Sequence, residues 1–249
     1  MFYFQVVRHR MLLESRRHRL TSTGAARREA TLVRMNVEPI RSEAMVRVSR
    51  GALRENIASI LRGATDIAID VRRDACGHGA DLVAGVAHEL GIRIFAEGDD
   101  PHGARSLAPL DAVYGLTGRG VPAMTLVAPV LSTKPLLQGE GVSYGYRFTA
   151  ERDTRIALVS GGYAQGLVRA IGGTAEVLLN GARCRIVGRV AMDVHVVDLE
   201  GADAVAGDEA TLFGAADPQL LAAWAHATGM TELELAACVG LGVEREVVA

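Results

Sequence analysis

Apolar and polar positions alternate in two different rhythms along this chain, and the change falls near Pro122. Before it, helical and extended patterns take turns. Ser49 stands as the cap of a helix running to Leu61, and Asp66 to Val71 (DIAIDV) has the spacing of a strand. Asp81 to Leu90 places Leu82, Val83, Val86 and Leu90 on one helical face and stops at Gly91. Ile92 to Ala96 is a second strand, Asp100-Pro101 a helix start, and Ala112 to Leu116 a third short apolar run that reads as a strand. Strand, helix, strand, helix, strand at this spacing predicts a parallel sheet with right-handed crossovers.

Beyond Pro122 the segments are short, β-branched and separated by turns. Asn180-Gly181 lies between AEVLL and ARCRIVG and predicts a hairpin, because both residues tolerate the positive φ of a type I′ turn. Two helices close the chain: one opens at Asp217-Pro218 and ends at Gly229, and the other carries a capping box formed by Thr231 and Glu234.

Composition narrows the function. The 249 residues are 49% apolar and 22% charged, a soluble chain long enough for one large domain or two small ones. A formal charge of −2 lacks the positive field of sequence-independent nucleic-acid binding, so no nucleic-acid partner is expected. No apolar run approaches the roughly 20 residues that span a bilayer, and the arginine-rich start is no secretory leader; a cytoplasmic protein without a membrane partner is expected. Residues 1–44 hold nine Arg, four Glu and no Asp, and read as a flexible basic arm or an over-extended start of translation. Cys76, Cys184 and Cys238 are too scattered for a disulfide framework, and no spacing suggests a metal site. His78, His195 and His226 lie in unrelated segments and read as turn or surface histidines. Every basic residue except Lys134 is arginine, so chemistry that needs an amine side chain has one candidate.

Val71 to Gly79 (VRRDACGHG) follows a strand and opens a helix. Leu82 stands where a dinucleotide loop needs its third glycine, and a phosphate-loop lysine is missing. By itself the segment is a tight βα turn. Four later segments change that reading: Gly141-Val-Ser-Tyr-Gly145, Gly162-Tyr-Ala-Gln-Gly-Leu-Val-Arg169, Gly188-Arg-Val-Ala-Met-Asp193 and Gly207-Asp-Glu-Ala-Thr-Leu-Phe-Gly214. In order and spacing they resemble the C-terminal β domain of the alanine racemase family. Gly229 to Gly240 resembles the family's last helix, and Ala52 to Ile57 (ALRENI) its opening helix.

The resemblance implies a pyridoxal-phosphate enzyme that interconverts L- and D-alanine for cell-wall building, with a barrel domain, a β domain and a site shared across a dimer. It implies a Schiff-base lysine on the first barrel strand and an opposing catalytic tyrosine. Tyr144 stands at the tyrosine's position, and Met192 and Asp193 match the substrate-side pair. Gln165 replaces an aspartate of the family pattern, and Arg72 occupies the position of the lysine. A guanidinium is not deprotonated in a protein and forms no imine, so pyridoxal-phosphate binding by this chain is not expected to follow the family's.

The barrel is also short. A (β/α)₈ barrel takes roughly 250 residues, whereas Met45 to Gly120 is about 76. Leu116 to Gly118 resembles the end of the family's third strand and leads directly into a segment resembling the β-domain entry. Period-2 alternation puts Asp70 and Arg72 on one face, where they can pair. The expected organisation is therefore an arm at 1–44, a partial TIM-type α/β barrel at 45–120 and an alanine racemase C-terminal-type β domain at 121–249. An isomerase by family, the chain is expected to be inactive alone. The alternatives are a dimerisation or binding module, pairing with itself or with a full-length racemase, and a fragment without selected activity.

Overall fold

The computed structural model describes residues 43–63, 66–99, 106–143, 145 and 147–249. Every described residue lies within residues 39–249, one compact unit. The expected arm, apart from Glu43 and Ala44, and the Asp100-Pro101 helix start lie outside the described residues.

Strand β1 (Met45–Ser49) alternates buried and half-buried side chains and leads through Ser49 into α1 (Arg50–Leu61). The Ser49 hydroxyl accepts from the Ala52 amide at 3.1 Å, satisfying one of the donors a helix start leaves open. Asn56, buried on α1, explains the ALRENI pattern. Its amide donates to the carbonyls of Val113 (3.2 Å) and Val121 (2.8 Å), and its oxygen accepts from the Val121 amide at 2.9 Å. One side chain thereby ties the helix to the segment that enters the β region.

Strand β2 (Ala68–Asp70) pairs in parallel with β3 (Arg93–Phe95), and α2 (Ala80–Glu89) crosses between them. The run at Ala112 to Leu116 is not a strand. Helix α3 (Leu110–Val113) forms instead, started by Pro109 at φ −61, with Val113 donating to the Pro109 carbonyl at 3.0 Å. The third parallel contact comes from Ser106 to Ala108: the Ala68 amide donates to Ser106 at 3.0 Å, and Ala108 donates to Ala68 at 2.9 Å. This segment lies beside β2, on the side away from β3. A third consecutive barrel strand would lie beside β3, so the third-strand reading of Leu116 to Gly118 does not hold.

The larger sheet is built from β4 (Met124–Leu136), β7 (Thr154–Ser160), β8 (Glu176–Leu179), β9 (Ala182–Val187), β10 (Val194–Asp198) and β11 (Glu209–Phe213). In the order β4-β7-β10-β9-β8-β11 they close on themselves, because β11 pairs back with β4. Closure removes open edges from this part of the fold. Strand β1 adds to β4, and β12 (Glu244–Val248) adds in parallel to β1. A short ribbon, β5 (Gly141–Val142) with β6 (Phe148–Thr149), stands apart. The expected hairpin is present between β8 and β9, with Asn180 at φ 50 and Gly181 at φ 81. Helix α4 (Gln219–Thr228) ends at Gly229 in the left-handed region, and α5 (Glu232–Gly240) carries the Thr231–Glu234 capping box. Among the described residues no helix is long and apolar enough to cross a membrane.

Candidate functional site

Among the described residues, the turn after β2 holds the one run of consecutive non-glycine residues at positive φ. Arg73, Asp74, Ala75 and Cys76 all take φ between 52 and 54, a left-handed turn of non-glycine residues. Each such residue costs about 1–2 kcal/mol, so the turn stands only if its surroundings hold it. Asp74 does much of this. Its backbone carbonyl accepts from Gly77 (3.0 Å) and Gly79 (2.9 Å), and its carboxylate accepts from the Ala80 amide at 2.8 Å, at the start of α2. Arg245, on β12, forms an ion pair with Asp74 and donates to the Gly77 carbonyl at 3.2 Å. Burial pushes the Asp74 carboxyl up, but the Ala80 amide and Arg245 outweigh it and leave its pKa below the usual value. Gly77 packs on Gly240 so closely that a Cβ would come within 2.8 Å of the Gly240 Cα.

At the strand end of this turn, Arg72 grips Asp70 at two points. Nε donates at 2.9 Å and Nη2 at 2.6 Å, and the Arg72 amide adds a third bond at 3.0 Å. The guanidinium also lies over the Phe95 ring, 4.5 Å from its centroid. The hydrogen bond from Arg72 holds the Asp70 carboxyl below its usual pKa. Cys76 is half-buried, and burial pushes its thiol up, away from the thiolate a nucleophile needs.

Met192 and Asp193 lie on the loop between β9 and β10, with Met192 about half exposed. The loop is bound to the segment that follows β7. Ala164 donates to the Met192 carbonyl at 2.9 Å, Gly161 donates to the Asp193 carbonyl at 2.8 Å, and Gln165 Nε2 reaches the Asp193 carboxylate at 3.5 Å. Gln165 also accepts from the Gly162 amide at 2.9 Å, so the glutamine retains a polar role here. Tyr144 lies outside the described residues. Lys134 sits on the exposed half of β4, ten residues along the strand from Met124, which packs near the Gly77–Gly240 contact.

Two histidines expected at turns or on the surface are fully buried. His78 stacks on Tyr114 at a centroid separation of 3.8 Å and uses Nδ1 on the Ala75 carbonyl; His195 uses Nδ1 on the Gly161 carbonyl at 2.8 Å. Burial lowers both pKa values to about 4, so both are neutral near pH 7. Among the described residues no group of His, Cys, Asp and Glu could hold a metal ion.

The family model for the alanine racemase C-terminal domain matches residues 123–247, half of the chain. The chain belongs to the alanine racemase family. Alanine racemase of Mycobacterium tuberculosis is 50% identical over 112 residues, 41% of this chain and 29% of that protein. That of Frankia casuarinae is 38% identical over 182 residues, 71% of this chain and 45% of that protein. The chain thus spans less than half the length of these alanine racemases. In fold it is similar to the Bartonella henselae alanine racemase, solved with covalently bound pyridoxal phosphate, at a TM-score of 0.73 and 16% identity, covering 84% of this chain and 100% of the other.

Proposed function

We propose that this chain is a non-catalytic member of the alanine racemase family. The observation that carries this reading is the Asp70–Arg72 pair. The family reaction requires a lysine amine that condenses with the pyridoxal-phosphate aldehyde and moves the α-proton, and the resemblance puts Arg72 at that lysine's position. Guanidinium chemistry allows neither step. Here both faces of its function are also taken, since the fork is bound to Asp70 and the plane lies on Phe95. The residues present do not fit a covalently held cofactor. Lys134, on the far half of β4, is the sole lysine and does not replace it.

The parallel layer supports the same reading. Its contacts run β3, β2, then Ser106 to Ala108. In a closed (β/α)₈ barrel the first strand has the second and the last as neighbours, so this order fits a barrel that keeps its two ends and lacks its middle. The loops after the late strands, where such barrels commonly hold phosphate, would be mostly absent.

The test is direct. Pyridoxal phosphate followed by borohydride leaves no stoichiometric label on Lys134 by mass spectrometry, and the purified protein interconverts no alanine enantiomers. Arg72→Lys restores neither. A label on Lys134, or turnover by the wild-type chain, overturns the proposal.

A second reading is favoured by the closed six-stranded β barrel, a finished body irrespective of the parallel layer. Such a domain suits a dimerisation or binding module that pairs with itself or with a full-length racemase. Analytical ultracentrifugation of the chain alone and mixed with a full-length racemase tests it; a monomer in both samples removes it.

A further inference from the structure

Between α3 and β4 the chain makes a closed strap, residues 114–122, and one side chain holds its neck. The Tyr114 carbonyl accepts from the Ala123 amide at 3.0 Å. Asn56 of α1 grips both ends: its amide group donates to the Val113 and Val121 carbonyls, and its oxygen accepts from the Val121 amide. No side chain fits where the strap closes. A Cβ on Gly115 (φ 69) would lie 1.9 Å from the Val121 carbonyl oxygen, and one on Gly120 (φ 110) would lie 2.4 Å from Asn56 Oδ1. Midway along the strap, the Thr117 amide donates to the Glu232 carboxylate at 2.7 Å, at the start of α5.

The first residue of the strap reaches the turn after β2. The Tyr114 ring lies on the His78 imidazole with 8° between the planes, and His78 Nδ1 meets the Ala75 carbonyl at 3.2 Å, inside the left-handed run. Both rings are fully buried, yet neither Tyr114 Oη nor His78 Nε2 has a hydrogen-bond partner among the described residues. A ring with no polar anchor at its tip is placed by its backbone, and the Tyr114 backbone follows directly on the Val113 carbonyl that Asn56 binds. Four consecutive non-glycine residues at positive φ relax unless they are held. Arg245 holds this turn through Asp74 and the Gly77 carbonyl, and the Tyr114 ring holds it through His78.

We propose that Asn56 is the latch of this strap and a positioning residue for the turn after β2: its three hydrogen bonds set Tyr114, and Tyr114 seals His78 against the turn. Released from Asn56, the strap opens at its neck, water reaches the His78 ring and the turn loosens, while the closed barrel keeps its structure.

His78 reports on the seal, because burial is what holds its pKa down at about 4. The charged groups that act on it, Arg245 and Asp74, are not strap residues. His195, buried against the Gly161 carbonyl in the β domain and also at about 4, is the internal standard. The experiment follows the assigned imidazole NMR resonances of the full chain carrying Asn56→Ala from pH 7 to 4. His78 is expected to titrate at about 5 or above, so that its protonated fraction at pH 5 rises about fivefold, with His195 unmoved. Tyr114→Phe keeps the ring and removes only the unbonded hydroxyl, and leaves His78 at its wild-type value. An unmoved His78, a His195 that moves with it, or the same rise in Tyr114→Phe overturns the proposal. If Asn56→Ala does not fold, Gly120→Ala decides by the same readout, since its Cβ forces the neck open from the strap side.

Discussion

Asp70 and Arg72, two residues apart at the end of β2, close a two-point ion pair of 2.9 and 2.6 Å whose carboxylate is largely buried and whose guanidinium is partly exposed. The pair holds the Asp70 pKa below its unfolded value, so its contribution is present above the unfolded carboxylate pKa, about 3.9, and is lost as pH falls through the lower folded value. Asp70→Asn is therefore expected to lower Tm at pH 7 by about 2 °C, a small effect because Arg72 is screened by solvent. The gap between variant and wild type should begin to narrow as the pH drops below about 4. Melting curves from pH 7 to 3 check it; a gap as wide at pH 3 as at pH 7 would assign the effect to packing instead.

The buried histidines set a second acid dependence with a distinct window. His78 and His195 are pulled down to about 4 by burial, against about 6.5 when unfolded, so between those values the unfolded chain binds more protons and stability falls as pH falls. Each group accounts for about 3 kcal/mol across the full window. Denaturant unfolding of the wild type should lose stability steeply from pH 6.5 to 4, and His195→Asn should remove about half of that slope. Imidazole NMR resonances that titrate near 6.5 in the folded protein would contradict the prediction.

What the sequence made legible was whatever rests on neighbours in the chain. The caps at Ser49 and Thr231, the Asn180-Gly181 hairpin and the pairing of Asp70 with Arg72 each follow from residues a few positions apart, and each is present, although the pair meets through a turn rather than on one strand face, because β2 ends at Asp70 and Val71 takes φ −107 and ψ 6. The rest depends on distant partners. No local pattern foretells that Arg73 to Cys76 turn left-handed, because the guanidinium that steadies them comes from Arg245. Likewise Ser106 to Ala108 finds its place only through Ala68, and β1 only through β4 and β12. His78 does lie in a turn, as expected, although buried, whereas His195 sits inside β10: polarity favours the surface, but a backbone acceptor for the ring keeps it in the interior.

Two glycines should respond in opposite senses to alanine. A Cβ on Gly162 would lie 2.3 Å from the Met192 carbonyl oxygen, so Gly162→Ala must displace the loop that carries Met192 and Asp193. It is expected to cost about 3 kcal/mol. Gly85, inside α2, has nothing within 4 Å of its added Cβ, and Gly85→Ala should stabilise the chain by about 0.5–1 kcal/mol through helix propensity. Urea unfolding of both variants measures the contrast, and equal signs would refute it.

Arg245 is the remaining lever on the turn after β2. It reaches Asp74 and the Gly77 carbonyl from β12, so Arg245→Met removes the charge and the donors while retaining much of the aliphatic bulk. The left-handed backbone at Arg73 to Cys76 then loses its main counterweight. A global loss of about 2 kcal/mol is expected, with the larger effect local. Amide hydrogen exchange at Gly77 and Gly79, whose N–H groups bond to the Asp74 carbonyl, should accelerate more than exchange at Ile186 on β9, whose amide bonds to Ala175. Uniform acceleration at all three sites would show instead that Arg245 acts on the whole fold and that the turn holds itself.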